Sequence, residues 1–180
     1  MKASIRVLSA AMAIFVALIL AAPASAGSGG GVPDAQVRRA GGQQLGDNII
    51  NVDGAGQTVG DQRPRNYADG AVRWFYAYVY NDGVGSVPFV VGATEPAPTT
   101  LSSPFLVQYF TPSGVDITAS VLTNSYVTPV VDPGARWAIR VKITVTSGTP
   151  HGSFVNLLVH FSSQPAPWLQ DAVGIKMLRK

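Results

Sequence analysis

The chain has 180 residues, of which 47% are hydrophobic and only 13% are charged. It contains no cysteine, so neither disulfide bonds nor thiolate metal ligands are available. The formal net charge is +3 and no lysine–arginine cluster occurs, which argues against nucleic-acid binding.

The first 26 residues have the pattern of a secretory signal peptide. Lys2 and Arg6 form the positive start, residues 10–22 form the apolar stretch, and Ala24–Ala26 supply the small-residue cleavage pattern. The apolar stretch is shorter than the roughly 20 residues that span a bilayer. We therefore expect a secreted protein, periplasmic or extracellular, with no membrane attachment after cleavage near Gly27.

Residues 27–70 form a polar segment rich in Gly, Asp, Asn and Gln. The sequence predicts one short strand at Asn48–Val52 and otherwise loops or weak edge strands. Asp47, Asp53 and Asp61 concentrate carboxylates here, a composition compatible with weak calcium binding. No glutamate closes an EF-hand loop, and turns produce the same composition, so turn chemistry is the favoured interpretation.

The stretch Arg73–Asn81 predicts a strand with an unusual distribution of aromatic residues. One face carries Phe75, Ala77 and Val79, which suit the core. The other face carries four large aromatic residues: Trp74, Tyr76, Tyr78 and Tyr80. A half-buried strand normally shows one apolar and one polar face. The aromatic face must therefore be covered by packed protein, another subunit or a ligand.

Residues 71–180 contain regularly spaced apolar runs separated by turn signals. They predict strands at Arg73–Asn81, Pro88–Ala93, Phe105–Phe110, Ile117–Leu122, Tyr126–Val131, Arg136–Thr146, Phe154–Ser162 and Ala172–Leu178. No helical period occurs outside the signal peptide. The pattern predicts an all-β protein, an immunoglobulin-like antiparallel β-sandwich of seven to eight strands.

Two of these strands show clear core faces by their alternation. In Arg136–Thr146, the core face comprises Trp137, Ile139, Val141, Ile143 and Val145, and the solvent face includes Arg140 and Lys142. In Phe154–Ser162, the core face comprises Val155, Leu157, Val159 and Phe161.

A family resemblance rests on three features of residues 73–180. These are the strand that ends in Asn81-Asp82-Gly83, the Pro133-Gly134 turn that leads into Ile139–Val145, and Gly152-Ser153 before the next strand. Together they resemble the immunoglobulin-like modules of bacterial surface proteins, such as the cell-adhesion-related (CARDB-type) domains. The resemblance implies a seven- or eight-stranded sandwich without catalytic activity.

The candidate binding residues are Trp74, Tyr76, Tyr78 and Tyr80, with Trp168 in a proline-rich loop as a further candidate. Aromatic rings on one strand face serve both as sugar-stacking platforms and as protein interfaces. The structural alternative is that the polar segment 27–70, or long side chains of the same sheet, cover these rings. For Trp168 the alternative is packing as a loop anchor.

The two histidines, His151 and His160, have no motif around them that indicates catalysis or a metal site. We expect no enzymatic activity, no cofactor and no metal. Three functions remain: an adhesion-type binding protein, a subunit of an extracellular filament or matrix assembled by strand addition through residues 27–51, and a carbohydrate-binding module. A protein partner or self-assembly is preferred over a polysaccharide.

Overall fold

The computed structural model describes residues 30–60, 67–94 and 105–179. The predicted signal peptide lies outside this part of the chain. Within it, no helix has the length and apolar character that crossing a membrane requires.

Two five-stranded sheets pack face to face. The first sheet has the order β2 (Gln44–Leu45), β1 (Pro33–Arg39), β4 (Val72–Asn81), β8 (Arg136–Val145) and β6 (Phe105–Phe110). The second sheet has the order β3 (Thr58–Gly60), β10 (Gln170–Leu178), β9 (Phe154–Ser163), β5 (Phe89–Thr94) and β7 (Tyr126–Val127). Neighbouring strands are antiparallel except β3 and β10. The predicted immunoglobulin-like β-sandwich is confirmed, with ten strands in the described residues.

The core lies between the sheets, on the faces that the alternation predicts. Phe75, Ala77 and Val79 of β4 are fully buried. Ile139, Val141, Ile143 and Val145 of β8 are also fully buried, and the inward residues of β9 are at most 5% exposed. Trp137 is only partly buried and packs against this core. The face assignments of these three strands are therefore confirmed.

In its described residues, 30–60 and 67–70, the polar segment contributes three strands, but not where the sequence predicts one. Residues 48–52 form a loop, in which Asn48 has φ 57° and the side chain of Ile50 is 55% exposed. Instead β1 pairs with β4 from Pro33 to Arg39. Its inward residues Ala35 and Val37 are fully buried, yet they are too few and too small to stand out in the sequence.

Two predicted strands between β6 and β8 also differ. The range Ile117–Leu122 is not a strand. Ile117 directly precedes a short helix, α1 (Thr118–Leu122), which forms the rest of the range. The Asp116 carboxylate accepts a hydrogen bond from the Thr118 nitrogen, and the buried side chains of Ile117 and Val121 have helical spacing. Tyr126–Val131 shortens to β7, since a proline follows at position 129 and cannot donate to a ladder.

Candidate functional site

The four predicted aromatic residues of β4 lie together on the outer face of the first sheet. β4 is the central strand of that sheet, with β1 on one side and β8 on the other. Tyr78 is 4% exposed, whereas Trp74, Tyr76 and Tyr80 are partly buried. The rings of Tyr76 and Tyr78 stack with centroids 6.3 Å apart, and Trp74 contacts Phe110 of β6 at 5.6 Å.

Arginines from the two flanking strands cover the faces of these rings. The Arg38 guanidinium of β1 lies 5.1 Å from the Tyr76 centroid and 5.6 Å from that of Tyr78. Arg136 of β8 lies 5.0 Å from the Tyr78 centroid. Arg140 lies 4.6 Å from the Trp74 ring. Long side chains of the same sheet therefore cover the aromatic face, and one of them, Arg38, comes from the polar segment, so both structural alternatives hold in part. We call these four aromatic residues and three arginines the arginine–aromatic surface.

Tyrosine hydroxyls hold the guanidinium groups in place. Arg38 donates from Nε to the Tyr78 hydroxyl at 2.7 Å, and Arg136 donates from Nη1 to the Tyr80 hydroxyl at 2.6 Å. The Gln44 amide of β2 also donates to the Tyr80 hydroxyl, at 3.2 Å. Each guanidinium uses one donor in these bonds, and the planar fork keeps further N–H groups for a ligand.

The polar segment contributes to this surface from within the sheet. It brings Arg38 and Gln44 beside the tyrosines through the pairing of β1 and β2, with Arg38 opposite Tyr76. The sequence assigns Arg140 and Lys142 to an outer face, but it does not reveal which strand lies next to them. The sequence does not identify Arg38 as a site residue, because the segment that contains it is predicted to be loop or weak edge strand.

A buried carboxylate joins the second sheet to β1 of the first. Asp171 of β10 accepts hydrogen bonds from the backbone nitrogens of Ala35 at 2.5 Å, Asn51 at 2.9 Å and Ala172 at 2.8 Å. The amide of Gln57 donates to it at 3.1 Å. Burial raises the pKa of Asp171, and these hydrogen bonds act in the opposite direction. The sequence gives no indication of this role.

Asp34 is a second buried carboxylate, at the Tyr80 end of β1. It accepts hydrogen bonds from the Gln36 amide at 2.6 Å and from the Asn48 nitrogen at 3.1 Å. Burial raises its pKa, and the negative charges of Asp82 and Asp171 raise it further. Both carboxylates fix the loop between β2 and β3 onto the sandwich, so their role is structural.

The remaining sequence candidates lie elsewhere. Trp168 is 77% exposed in the turn between β9 and β10 of the second sheet, so it is not a packed anchor and does not join the arginine–aromatic surface. Asp53 caps the Ala55 nitrogen at 2.9 Å, and Asp47 accepts from the Gln36 amide at 3.0 Å. Asp61 lies outside the described residues. Within the described ranges, no three acidic or histidine side chains cluster as metal ligands.

His160 is packed into the outer face of the second sheet. Its Nε2 lies 3.0 Å from Oδ1 of Asn124, and burial lowers its pKa. His151 is exposed in the turn that precedes β9. Neither arrangement resembles a histidine that activates a nucleophile.

No protein-family model matches the chain, and no curated protein matches it. The resemblance to cell-adhesion-related modules therefore stays a prediction. Among solved structures, the chain is similar to a FixG-related protein from Vibrio parahaemolyticus, with 9% identity and a TM-score of 0.43, over 82% of this chain and 96% of that one. It is similar to the N-terminal domain of PorA, with 14% identity and a TM-score of 0.45, over 79% and 95%.

A third similar structure is a PapD-like domain of human CEP192, with 9% identity and a TM-score of 0.38, over 81% of this chain and 83% of that one. Such TM-scores carry no argument about what this chain does. The arginine–aromatic surface has to be interpreted from its own chemistry.

Proposed function

We propose that this protein is a secreted, non-catalytic, adhesion-type binding protein that holds a protein partner through the arginine–aromatic surface. The observation that carries the proposal is the covering of Trp74, Tyr76 and Tyr78 by guanidinium groups on one sheet face. Tyrosine, tryptophan and arginine are the residues most enriched where protein interfaces gain their binding energy. The signal-peptide pattern and the resemblance to adhesion-related modules agree with this function.

The same covering disfavours a carbohydrate platform. A sugar ring stacks on the open face of an aromatic ring. Here Arg38 lies over both Tyr76 and Tyr78, so stacking would first require its displacement from the Tyr78 hydroxyl. A protein partner can instead bind the guanidinium groups without displacing them from the rings.

Strand addition through residues 27–51 is also less favoured. β1 already pairs with β4 of its own sheet over seven residues, and its inward side chains are buried in its own core. Donating this strand to a neighbour would remove it from its own sandwich. A filament of this kind would need an exchange of β1 between copies rather than the docking of a free segment.

The test compares an aromatic residue of each sheet. Tyr76→Ala removes a ring beneath Arg38 in the first sheet. Phe154→Ala is the matched control, because Phe154 is a strand residue of the second sheet, 60% exposed, with the Lys176 ammonium 5.7 Å from its ring. Fluorescently labelled mature protein is incubated with bacterial cells and their extracellular matrix, and the retained fraction is measured before and after trypsin treatment of the cells.

We expect wild type and Phe154→Ala to be retained equally, and Tyr76→Ala to be retained at least about fivefold less, as for an interface residue worth about 1 kcal/mol. Trypsin treatment should abolish retention. Retention that survives trypsin would replace the protein partner with a glycan. Equal retention of all three proteins would exclude this surface as the binding site.

A further inference from the structure

The arginine–aromatic surface carries positive charge that no salt bridge among the described residues balances. Arg38, Arg136, Arg140 and Lys142 all belong to the outer face of the first sheet, on the strands that flank β4. Within residues 30–60, 67–94 and 105–179, the structure places no carboxylate in a salt bridge with any of these four side chains. Elsewhere in the described chain, Arg179 pairs with Asp69 at 2.7 Å, so charge pairing is not avoided in general.

Two acidic residues border this surface. Asp34 lies on β1 opposite Tyr80, where it is buried and accepts hydrogen bonds from Gln36 and Asn48. Asp116 borders the Lys142 end. Lys142 donates from Nζ to the Gln108 side-chain oxygen at 3.2 Å, and the Gln108 amide lies 3.5 Å from the Asp116 carboxylate. The Lys142 charge helps to lower the pKa of Asp116, after hydrogen bonds from Thr118. Asp116 therefore lies at the Lys142 end of the row, and no carboxylate of the described residues forms a salt bridge with the three arginines.

The guanidinium groups are positioned to donate hydrogen bonds to a ligand. Arg38 and Arg136 are fixed by tyrosine hydroxyls, and the Arg140 guanidinium lies over the Trp74 ring. An arginine fixed on an aromatic ring loses less side-chain entropy when it binds, and its remaining N–H groups match a carboxylate in a bidentate geometry. The remaining N–H groups of these arginines are therefore suited to bind carboxylates.

We propose that the arginine–aromatic surface, with Lys142, binds an extended acidic segment of the partner protein. This inference rests on the proposed function and names the chemistry of its partner. Outward residues of β8 repeat about every 6.5–7 Å along the strand, which sets the spacing of Arg140 and Lys142. An extended peptide with an acidic residue at every second position has the same spacing, so its carboxylates meet these cations in register.

The covering of the ring faces also favours an acidic peptide over a nucleic acid as the ligand. Single-stranded nucleic acids gain much of their affinity from bases stacked on aromatic rings. Arg38, Arg136 and Arg140 occupy ring faces on this surface. The groups that remain available to a ligand are the cations themselves, which favours carboxylates carried by a chain without bases.

The test measures binding of labelled synthetic peptides to the mature chain by fluorescence anisotropy. The probe is a twelve-residue peptide of alternating Glu and Thr, and the control peptide has Gln at each Glu. The double variant Arg140→Gln/Lys142→Gln removes two cations of the row. Lys176→Gln is the matched control, since Lys176 is a strand cation of the second sheet that lies over Phe154. Thermal unfolding confirms that each variant is folded.

We expect wild type and Lys176→Gln to bind the Glu peptide with equal affinity and the Gln peptide at least about tenfold more weakly. The double variant should lose about tenfold or more in affinity for the Glu peptide, because charge-assisted hydrogen bonds are the stronger kind. If the double variant fails to fold, Lys142→Gln alone and the salt dependence of wild-type binding replace it. Affinity that does not fall between about 50 and 300 mM salt would overturn the proposal.

Two results distinguish this inference from the function on which it rests. Failure of the Glu peptide to bind, with Tyr76-dependent retention by cells intact, would overturn the acidic segment and leave the binding function standing. Tighter binding of a polyuronate than of the Glu peptide, with the same dependence on Arg140 and Lys142, would replace the protein segment with an acidic polysaccharide. Loss of both peptide binding and retention would reject both proposals.

Discussion

The carboxylate of Asp171 accepts a hydrogen bond from the backbone nitrogen of Ala35, which joins β10 of the second sheet to β1 of the first. The two residues are 136 positions apart in the sequence. This contact, with those from Asn51 and Gln57, fixes the polar segment to the sandwich. β1 in turn brings Arg38 to the arginine–aromatic surface.

Replacing this carboxylate should destabilise the fold. Asp171→Asn keeps the shape but exchanges one acceptor oxygen for an NH₂ group, so a buried backbone N–H loses its partner. We expect a loss of about 1–3 kcal/mol in the free energy of unfolding, measured by urea denaturation. Asp53→Asn is the control, because an exposed turn aspartate can be replaced by asparagine with little effect. Equal stability of the two variants would contradict the structural role of Asp171.

Asp34 should make stability depend on pH in the direction opposite to that of a salt-bridged aspartate. Burial raises its pKa above 3.8, so the folded state binds the proton more readily than the unfolded state. Its contribution to stability is therefore fully present below 3.8 and is lost as the pH rises through the folded-state pKa.

The measurement is the difference in unfolding free energy between wild type and Asp34→Asn across this range. We expect this difference to shift in favour of wild type as the pH falls from neutral to below 3.8. Subtracting the variant cancels groups that do not interact with Asp34, such as Asp69 and Asp116, whose pKa values are lowered by hydrogen bonds. A difference that is constant with pH, or that moves towards the variant on acidification, would contradict a raised pKa.

The sequence predicts on which face of a strand a residue lies, but it does not predict which strands lie beside each other. The alternation of Phe75, Ala77 and Val79 with the aromatic residues assigns both faces of β4, because side chains in any strand alternate. It does not show that Arg140 lies beside Trp74, since that depends on the register between β4 and β8. Long-range pairing of this kind leaves no local pattern.

Strands with few core residues are also not predicted by the sequence, because they depend on long-range pairing. β1 has the sequence PDAQVRR, in which only Ala35 and Val37 face the core. Its stability comes from pairing with β4 and from the Asp171 carboxylate, and neither can be inferred locally. The sequence consequently indicates a polar segment where the structure has the strand that carries Arg38.

Gly92 should be intolerant of even a methyl group. It lies in β5 opposite His160, and a Cβ added there would overlap the side chains of Asn124 and His160. We expect Gly92→Ala to cost about 1–3 kcal/mol of stability, as overpacking does. The ring of His160 should also move towards solvent. Its pKa, which burial lowers, would then rise towards 6.5 in an NMR titration.

A double-mutant cycle tests the cause of this cost. Asn124 has φ 54°, a conformation that glycine adopts freely, so Asn124→Gly removes the obstructing side chain without backbone strain. We expect Gly92→Ala to cost less in the Asn124→Gly background than in wild type. Strictly additive effects would show that the methyl group does not meet Asn124.

Removing the residues before position 52, and with them β1 and β2, should abolish the fold. A chain that begins at residue 52 lacks β1 and β2, so β4 loses its pairing from Phe75 to Asn81. The core loses Ala35 and Val37, and Asp171 loses the nitrogens of Ala35 and Asn51. An unpaired, aromatic strand edge of this kind promotes aggregation.

The measurement is size-exclusion chromatography combined with thermal unfolding, against a control chain that begins at Gly30 and keeps β1 whole. We expect the control to elute as one folded species and the chain from residue 52 to aggregate or to show no cooperative transition. A monomer with unchanged thermal stability would mean that β1 is dispensable. Arg38 would then sit on a strand that can leave the sheet, and exchange of β1 between copies would again be a realistic route to self-assembly.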